Sequence, residues 1–544
     1  MPVVSFSYSD FVRLLGRDVG LETLLETAPM LGCSLERVDG DEVSLEFFPN
    51  RPDLYSVEGL ARAMRAFMGL NPGMPRYELN DSNIEMTVEE SVQDIRPFVV
   101  CGVARDLELS STIIRSLMDL QEKLHTTIGR RRSKVSIGLH DLDNVKPPFV
   151  YRAVEPRSVR FVPLGHSEEM DLEEIIERHE KGIEYGRLVR GKPRYPLIVD
   201  REGSVLSFPP IINGTLTQLT EDTRSVFIDV TGTDYSGISW ALTIIASALA
   251  ERGGRLETVV MRYPDKAPFR TPSLVSRKRS LNPSYANALL GTELSIGEMV
   301  ESLRKMMHDA SPSGDRIDVG TPAFRGDILH EIDLVEDVAI GYSYSKFKGE
   351  LPYAMTFGRE LKSELRVERA RQTMIGLGFI EVMTFTLTSP SKQLNRALGQ
   401  EMTELLNPVT EEQTILRTEL VPSLLEVLRI NRHHDLPQRV FEVGEIVLSH
   451  RNRKRLAAVL THPRASFTEA KSIALAVLRE FGLWERYRLQ PAERPGFIKG
   501  RCATLHLEES GTEIGWFGEL HPEVITAFEL SSPVVAMELE LGGW

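Results

Sequence analysis

Strand-like and helical runs alternate irregularly along this chain, which predicts an α+β architecture. Two further observations make it multidomain. The 544 residues exceed what one hydrophobic core organises at ~150 residues per domain, so about three to four folding units are expected. No internal repeat or low-complexity tract interrupts them, and 42% hydrophobic with 26% charged residues lies in the ordinary globular range, which excludes a disordered or fibrous chain.

The charge balance narrows the function classes. Lysine and arginine total 64 against 78 aspartates and glutamates, a formal charge of −14. A protein coated in positive charge is excluded, so any nucleic acid must be met at local patches. The three cysteines, Cys33, Cys101 and Cys502, are far apart and form no CxxC pair, which argues against a disulfide framework or a thiolate zinc site and for a reducing cytoplasm. The N-terminus shows no apolar signal core. The most apolar stretch, Ile238 to Ala250, is too short to span a bilayer.

In the first unit (1–90), a strand-like run at Val43 to Phe48 precedes Asn50-Arg-Pro-Asp-Leu54, after which Asp53 or Ser56 can cap a helix. Val57, Leu60, Ala61, Met64 and Met68 recur at helical spacing, and Gly69 with Asn71-Pro72 stops the run. Polar sequence from Asn71 to about Asp94 reads as a connection. The second unit (91–265) mixes helices with strands at Val99 to Val103, Lys134 to Leu139 and Val226 to Val230. Pro264-Asp-Lys-Ala-Pro268 separates it from a small helical unit (266–350). The last unit (351–544) opens with a helix bearing Val367, Ala370, Met374 and Leu377 on one face, ended by Gly378. A strand from Phe379 to Thr388 follows, with more at Arg439 to Leu448 and Arg501 to Leu507.

Three kinds of constellation carry chemistry. Between Asp327 and Asp337 five acids fall within eleven residues. Wound as a helix, Ile328, Ile332, Val335 and Ala339 share one face, and Asp333, Glu336 and Asp337 project opposite. With Asp327 they make an all-oxygen set suited to a hard cation such as Mg²⁺, or simply a solvated acidic face. His330-Glu331 does not complete HExxH, which disfavours zinc hydrolysis. In the second unit, Ser207-Phe-Pro-Pro-Ile-Ile-Asn213 and Phe227-Ile-Asp-Val-Thr-Gly232 place Ser207, Asn213, Asp229 and Thr231 where they can converge on a small polar ligand. The plainer reading leaves Asp229 and Thr231 alternating outward on a strand. Basic clusters at Arg130 to Lys134, Arg277 to Arg279 and Arg451 to Arg455 are able to contact phosphate, but none is interleaved with aromatics, so each reads first as a solvated loop.

Taken in order, Asn50-Arg-Pro-Asp-Leu54, Ser207 to Asn213, Asp327 to Tyr344, Gly378-Phe-Ile-Glu-Val-Met-Thr-Phe385, Leu406-Asn-Pro-Val409, Leu416-Arg-Thr-Glu-Leu420 and Phe441-Glu-Val-Gly444 resemble the β subunit family of phenylalanyl-tRNA synthetases, in its archaeal and eukaryotic-like form. The resemblance implies a partner α subunit in an (αβ)₂ heterotetramer, and tRNA-Phe, phenylalanine and ATP as substrates of the complex, with no membrane association. It implies Mg²⁺ bound by Asp327, Asp333, Glu336 and Asp337. It further implies that the second unit is an editing domain hydrolysing tyrosine mischarged onto tRNA-Phe, with Ser207, Asn213, Asp229 and Thr231 in its characteristic segments. The last unit is similar to a class II synthetase antiparallel-sheet core that lacks catalytic arginines: no arginine-x-glutamate stands at Phe441 to Gly444, and Gly515-Trp-Phe-Gly-Glu-Leu-His-Pro522 carries none. Adenylate formation needs such clamps, so the aminoacylation site is expected on the α subunit. Two rival readings stay open on the residues alone: a free-standing metal-dependent esterase or phosphohydrolase using the acidic helix, and a purely structural scaffold.

Overall fold

The computed structural model describes residues 2–393 and 402–542. They divide into two compact units, residues 1–351 and 352–544.

The first unit opens with a three-stranded sheet in the order Val3–Ser7, Glu42–Phe47, Cys33–Asp39. The helix Val57–Phe67 follows, capped by Ser56, whose hydroxyl accepts from Gly59 N at 3.2 Å. Asp53 has another job: it is buried in a two-bond pair with Arg51 (2.8 and 2.9 Å). Gly59 is required there, because a Cβ would stand 1.8 Å from the Asp53 carbonyl oxygen.

A ten-stranded sheet carries the middle of this unit. Its order is 212–213, 205–208, 195–199, 149–154, 79–88, 255–262, 98–105, 226–232 and 135–141, with 269–271 beside 255–262. The helices Ser111–Thr126 and Tyr235–Glu251 pack into the core cluster on one face, with Val226, Ile228 and Val230, while Phe227 belongs to the cluster on the other face. The strand Leu79–Val88 corrects the sequence reading of that stretch as a connection. Only its second half alternates, with Ile84, Met86 and Val88 buried, and the Asn-Asp-Ser-Asn start mimics a turn. The sheet also curls, for although its two ends are the strands 212–213 and 135–141, Asn213 Nδ2 donates to Leu139 O across them at 3.4 Å.

Residues 277–342 correct the expectation of a small helical unit. A three-stranded sheet (277–281, 316–321, 309–313) packs with the helices Pro283–Leu290, Ile296–Lys305 and Glu331–Tyr342. Arg277 to Arg279 is therefore strand rather than loop; the pairing of this strand with 316–321 outweighs a polar composition. The helix at Glu331 is capped by His330, so Ile328 precedes it and Ile332 is exposed; its buried stripe is Leu334, Val335 and Val338. Gly341 lets it approach the neighbouring helix, since a Cβ would lie 2.2 Å from Ser302 O.

The second unit is built on a seven-stranded sheet in the order 380–381, 438–448, 451–461, 534–540, 513–520, 497–507, 487–491, antiparallel except for its first pair. The helices Lys362–Gly376 and Phe467–Glu480 share a core with Phe441, Leu456 and Met537; Val421–Ile430 shares another with Ile446, Val459 and Trp516. The expected strand from Phe379 to Thr388 shrinks to Ile380–Glu381 and Leu387–Thr388, for Met383 and Phe385 stay exposed and join no strand among the described residues. Arg451 to Arg455 is strand too, and three of its four charges are paired: Arg453 and Arg455 with Glu540 and Glu538, and Lys454 with Glu364.

Candidate functional site

At the seam between the two ends of the curled sheet lies a cavity of about 450 Å³, a size suited to a small ligand. Its walls come from the helix Ser111–Thr126, the strand Val135–Asp141 and the segment Ser207 to Leu219. Three of the four residues singled out in the sequence, Ser207, Asn213 and Asp229, line it. Thr231 does not. It shares Asp229's face of the strand but is fully buried against Arg96, whose Nε donates to Thr231 Oγ1 at 2.9 Å and whose Nη2 donates to Thr231 O at 2.7 Å.

Asp229 is held from behind. His140, fully buried on the neighbouring strand, donates from Nε2 to Asp229 Oδ2 at 2.6 Å and accepts at Nδ1 from the Thr217 hydroxyl at 2.8 Å. Both imidazole nitrogens are thus occupied, which fixes the ring and leaves Asp229 as the group that meets the cavity. Gly138 stands directly across the ladder: a Cβ there would lie 2.0 Å from Asp229 Oδ2 and 2.6 Å from His140 Nε2. Gly138→Ala should therefore displace the carboxylate and lower any reaction that depends on it about 10²-fold while the strand still forms, a separation readable by comparing turnover with circular dichroism.

Sequence reasoning missed His140, Gly138 and a second layer around Arg132. Arg132 is buried, its Nη1 donating to Ile211 O (2.8 Å), its Nη2 to Glu122 (2.5 Å), its guanidinium 4.4 Å above the Tyr185 ring. His125 completes this layer. The Ile137 amide donates to its Nε2 at 2.8 Å, so Nδ1 carries the proton toward Glu122 at 3.2 Å. Burial pushes the His125 pKa down to about 4, against the pull of Glu122. Burial would raise Glu122, but His125 and then Arg132 outweigh it and hold the carboxyl at about 2. Unfolded, His125 titrates near ~6.5, so between these values the unfolded chain binds more protons. Stability contributed by neutral His125 should be present above about pH 6.5 and lost as pH falls toward 4. Urea titrations across that window should show His125→Gln flattening the pH dependence by up to one proton, about 1.4 kcal/mol per pH unit. On three cavity-lining residues, polar atoms lack any partner: Ser207 Oγ, Gln121 Oε1 and Arg132 Nε. Ten further buried polar atoms are unpartnered elsewhere among the described residues, so what sets these three apart is that they share one cavity with Asp229.

The acidic constellation lies around a second cavity of about 290 Å³, lined by Asn50, Arg51, Arg325, Asp327, Asp333, Glu336 and Asp337. The three helical acids do not project together into solvent. Asp337 is buried, accepting from Arg325 Nη2 (2.8 Å) and bonded to His308 Nε2 (2.5 Å). Burial alone would raise its pKa; Arg325 and His308 overcome that and hold it at about 2. Asp327 takes a forked pair from Arg325 (3.0 and 2.8 Å), and Asp333 turns back to accept from the Leu329 and His330 amides, both at 2.7 Å. Glu336 is left uncompensated: burial, then the charges of Asp337, Asp333 and Asp327, raise its pKa. The donor set fits a hard cation in chemistry and charge, since a cation would relieve that repulsion. It is not a preformed cage, for among the described residues no three acidic, histidine or cysteine side chains are arranged to hold a metal.

In the second unit Arg417 is locked away, donating to Glu442 (2.7 Å), Thr384 (2.8 Å) and Glu445 O (2.8 Å). It is 2% exposed and presents no free guanidinium to a substrate.

Comparisons with known proteins decide the family. Residues 349–541 match the phenylalanyl tRNA synthetase beta chain CLM domain, 279–344 the tRNA synthetase B5 domain, and 106–260 the B3/4 domain. The chain is 46% identical over 545 residues to the phenylalanine–tRNA ligase beta subunit of Methanosarcina barkeri, covering 99% of each. The chain belongs to the phenylalanine–tRNA ligase β-subunit family. The corresponding subunit of Archaeoglobus fulgidus is also 46% identical, across 100% of this chain and 99% of its own. An N-terminal fragment of the phenylalanyl-tRNA synthetase β subunit from Pyrococcus horikoshii is 43% identical with a TM-score of 0.61, covering 63% of this chain and all of that one. For a phenylalanine–tRNA ligase β subunit, the readings as a lone metallohydrolase or a bare scaffold find no support. Among its described residues no helix is long and apolar enough to cross a membrane.

Proposed function

We propose that this β subunit assembles with a catalytic α subunit to charge tRNA-Phe with phenylalanine at the expense of ATP, in an (αβ)₂ heterotetramer of the cytoplasm, and that its own cavity hydrolyses tyrosine mischarged onto that tRNA. The observation that carries the editing half is the seam cavity, where one carboxylate braced by a buried histidine meets unpartnered polar atoms. Phenylalanine and tyrosine differ by a single hydroxyl. A cavity with buried groups waiting for a partner favours the ligand that supplies one, since those groups stay unpaired with phenylalanine.

Asp229 is the proton acceptor for an attacking water, fixed by His140. Ser207 and Asn213 orient the ester and the tyrosyl hydroxyl. Thr231 acts at one remove, by holding Arg96. No protein nucleophile is needed, since an ester is cleaved directly by activated water. Asp327, Asp333, Glu336 and Asp337 would hold Mg²⁺, which would supply the positive charge that the acidic helix lacks. These residues keep that charge off the solvent face, with Arg325 ordering two of them. The second unit serves as a class II-like core without aminoacylation chemistry of its own. Isolated chain should therefore show no phenylalanine-dependent pyrophosphate exchange, while the co-purified complex does. Exchange by the chain alone would overturn that assignment.

A further inference from the structure

Three successive arginines, the last of which lines the cavity, share one backbone anomaly. Arg130, Arg131 and Arg132 have φ of 46°, 53° and 63°, the left-handed region that residues bearing a Cβ rarely adopt and almost never three in a row. The turn persists because its surroundings over-determine it. Gly129 has no room for a side chain, its Cβ position falling 2.5 Å from His125 O and 2.6 Å from Val135 O. Arg132 N donates to His125 O (3.1 Å) and Lys134 N to Gly129 O (2.9 Å). The Arg96 guanidinium that binds Thr231 also donates to Ser133 O at 3.2 Å. Strain retained this way concentrates where a chain must present particular groups.

What the turn presents is charge. It sends Arg132 into the cavity wall and leaves Arg130 and Arg131 exposed. Neither exposed arginine has an ion-pair partner or a side-chain hydrogen bond among the described residues, as is also true of Arg277, Lys278 and Arg451 in the other basic runs; what sets Arg130 and Arg131 apart is that they adjoin a residue of the cavity wall. On a chain of charge −14, two uncompensated guanidinium groups next in sequence to a cavity already lined by Arg132 and Lys181 form a local anion-binding patch. A ligand with a small end to enter the cavity and phosphates trailing outside it is the aminoacylated 3′ end of an RNA strand.

Building on the editing reading, we infer that the Arg130–Arg132 turn is the RNA-guiding lip of this cavity. Arg130 and Arg131 hold phosphates of the incoming 3′ strand, and Arg132 braces the wall against which the ester lies. Thr231 and Arg96 then serve as positioning residues for the turn.

The test compares two substrates of the full complex: tyrosyl-tRNA-Phe, and 2′(3′)-O-tyrosyl-adenosine, which carries the same ester without phosphates. For Arg130→Gln/Arg131→Gln, KM for the tRNA should rise roughly tenfold more than KM for the nucleoside ester. The salt dependence of tRNA deacylation should become shallower by about 1.4 in log–log slope, two single-strand phosphate contacts. Arg130→Gly/Arg131→Gly, which suits the positive φ and removes the same charges, should behave alike. Equal losses on both substrates, or an unchanged salt slope, would overturn the inference. Failure of wild-type complex to cleave either ester would instead overturn the editing reading, and the lip with it.

Discussion

Asp229→Asn should abolish deacylation of tyrosyl-tRNA-Phe by the complex, lowering its rate about 10²–10⁴-fold, the range a positioned general base contributes. Phenylalanine charging should be nearly untouched. The argument rests on the bond network: His140 Nε2 still finds an acceptor in the carbonyl oxygen of the substituted amide, so the buried pair keeps its 2.6 Å contact but loses the charge that attracts a water proton. Asp229→Ala is the cruder variant. It leaves the buried His140 without its partner, at about 1–3 kcal/mol, and so mixes folding with chemistry. Misincorporated tyrosine should accumulate on tRNA-Phe with either variant. A deacylation rate unchanged by Asp229→Asn would remove Asp229 from the reaction.

Arg325→Met should cost the first unit about 3–5 kcal/mol, the range for breaking a buried ion pair on one side only. Arg325 is 1% exposed and donates to both Asp327 and Asp337, so its loss strands Asp327 and leaves Asp337 with His308 alone, beside Glu336, which already suffers from like charges. Lowered pH or added Mg²⁺ should restore part of the loss, by neutralising the cluster. Melting curves of the variant with and without millimolar Mg²⁺ read this directly. An equal melting temperature in both conditions would separate the acidic helix from any cation.

Much of this was legible in the sequence because spacing encodes faces. The helix after Ser56 was set by local periodicity, and seven short phrases in order pointed to the family. What was missed depends on contacts distant in sequence. His140 and Asp229 are 89 residues apart and meet only through strand pairing. Asp337 was expected to face solvent because its charge, on a helix, normally does; His308 and Arg325, contributed from outside the helix, make burial tolerable. Arg130 to Lys134 read as a solvated loop because nothing in its composition shows that Arg132 turns inward. Thr231 shares Asp229's face, yet strand alternation says nothing about how far along that face a cavity extends.

The central claim is that the seam cavity selects and cleaves the tyrosyl ester. Purified complex should be incubated with tyrosyl-tRNA-Phe and, separately, phenylalanyl-tRNA-Phe, and the release of free amino acid followed without ATP. Much faster release of tyrosine than of phenylalanine, lost in Asp229→Asn, is the result expected. Equal release of the two amino acids, or preferential release of tyrosine that persists in Asp229→Asn, would contradict it.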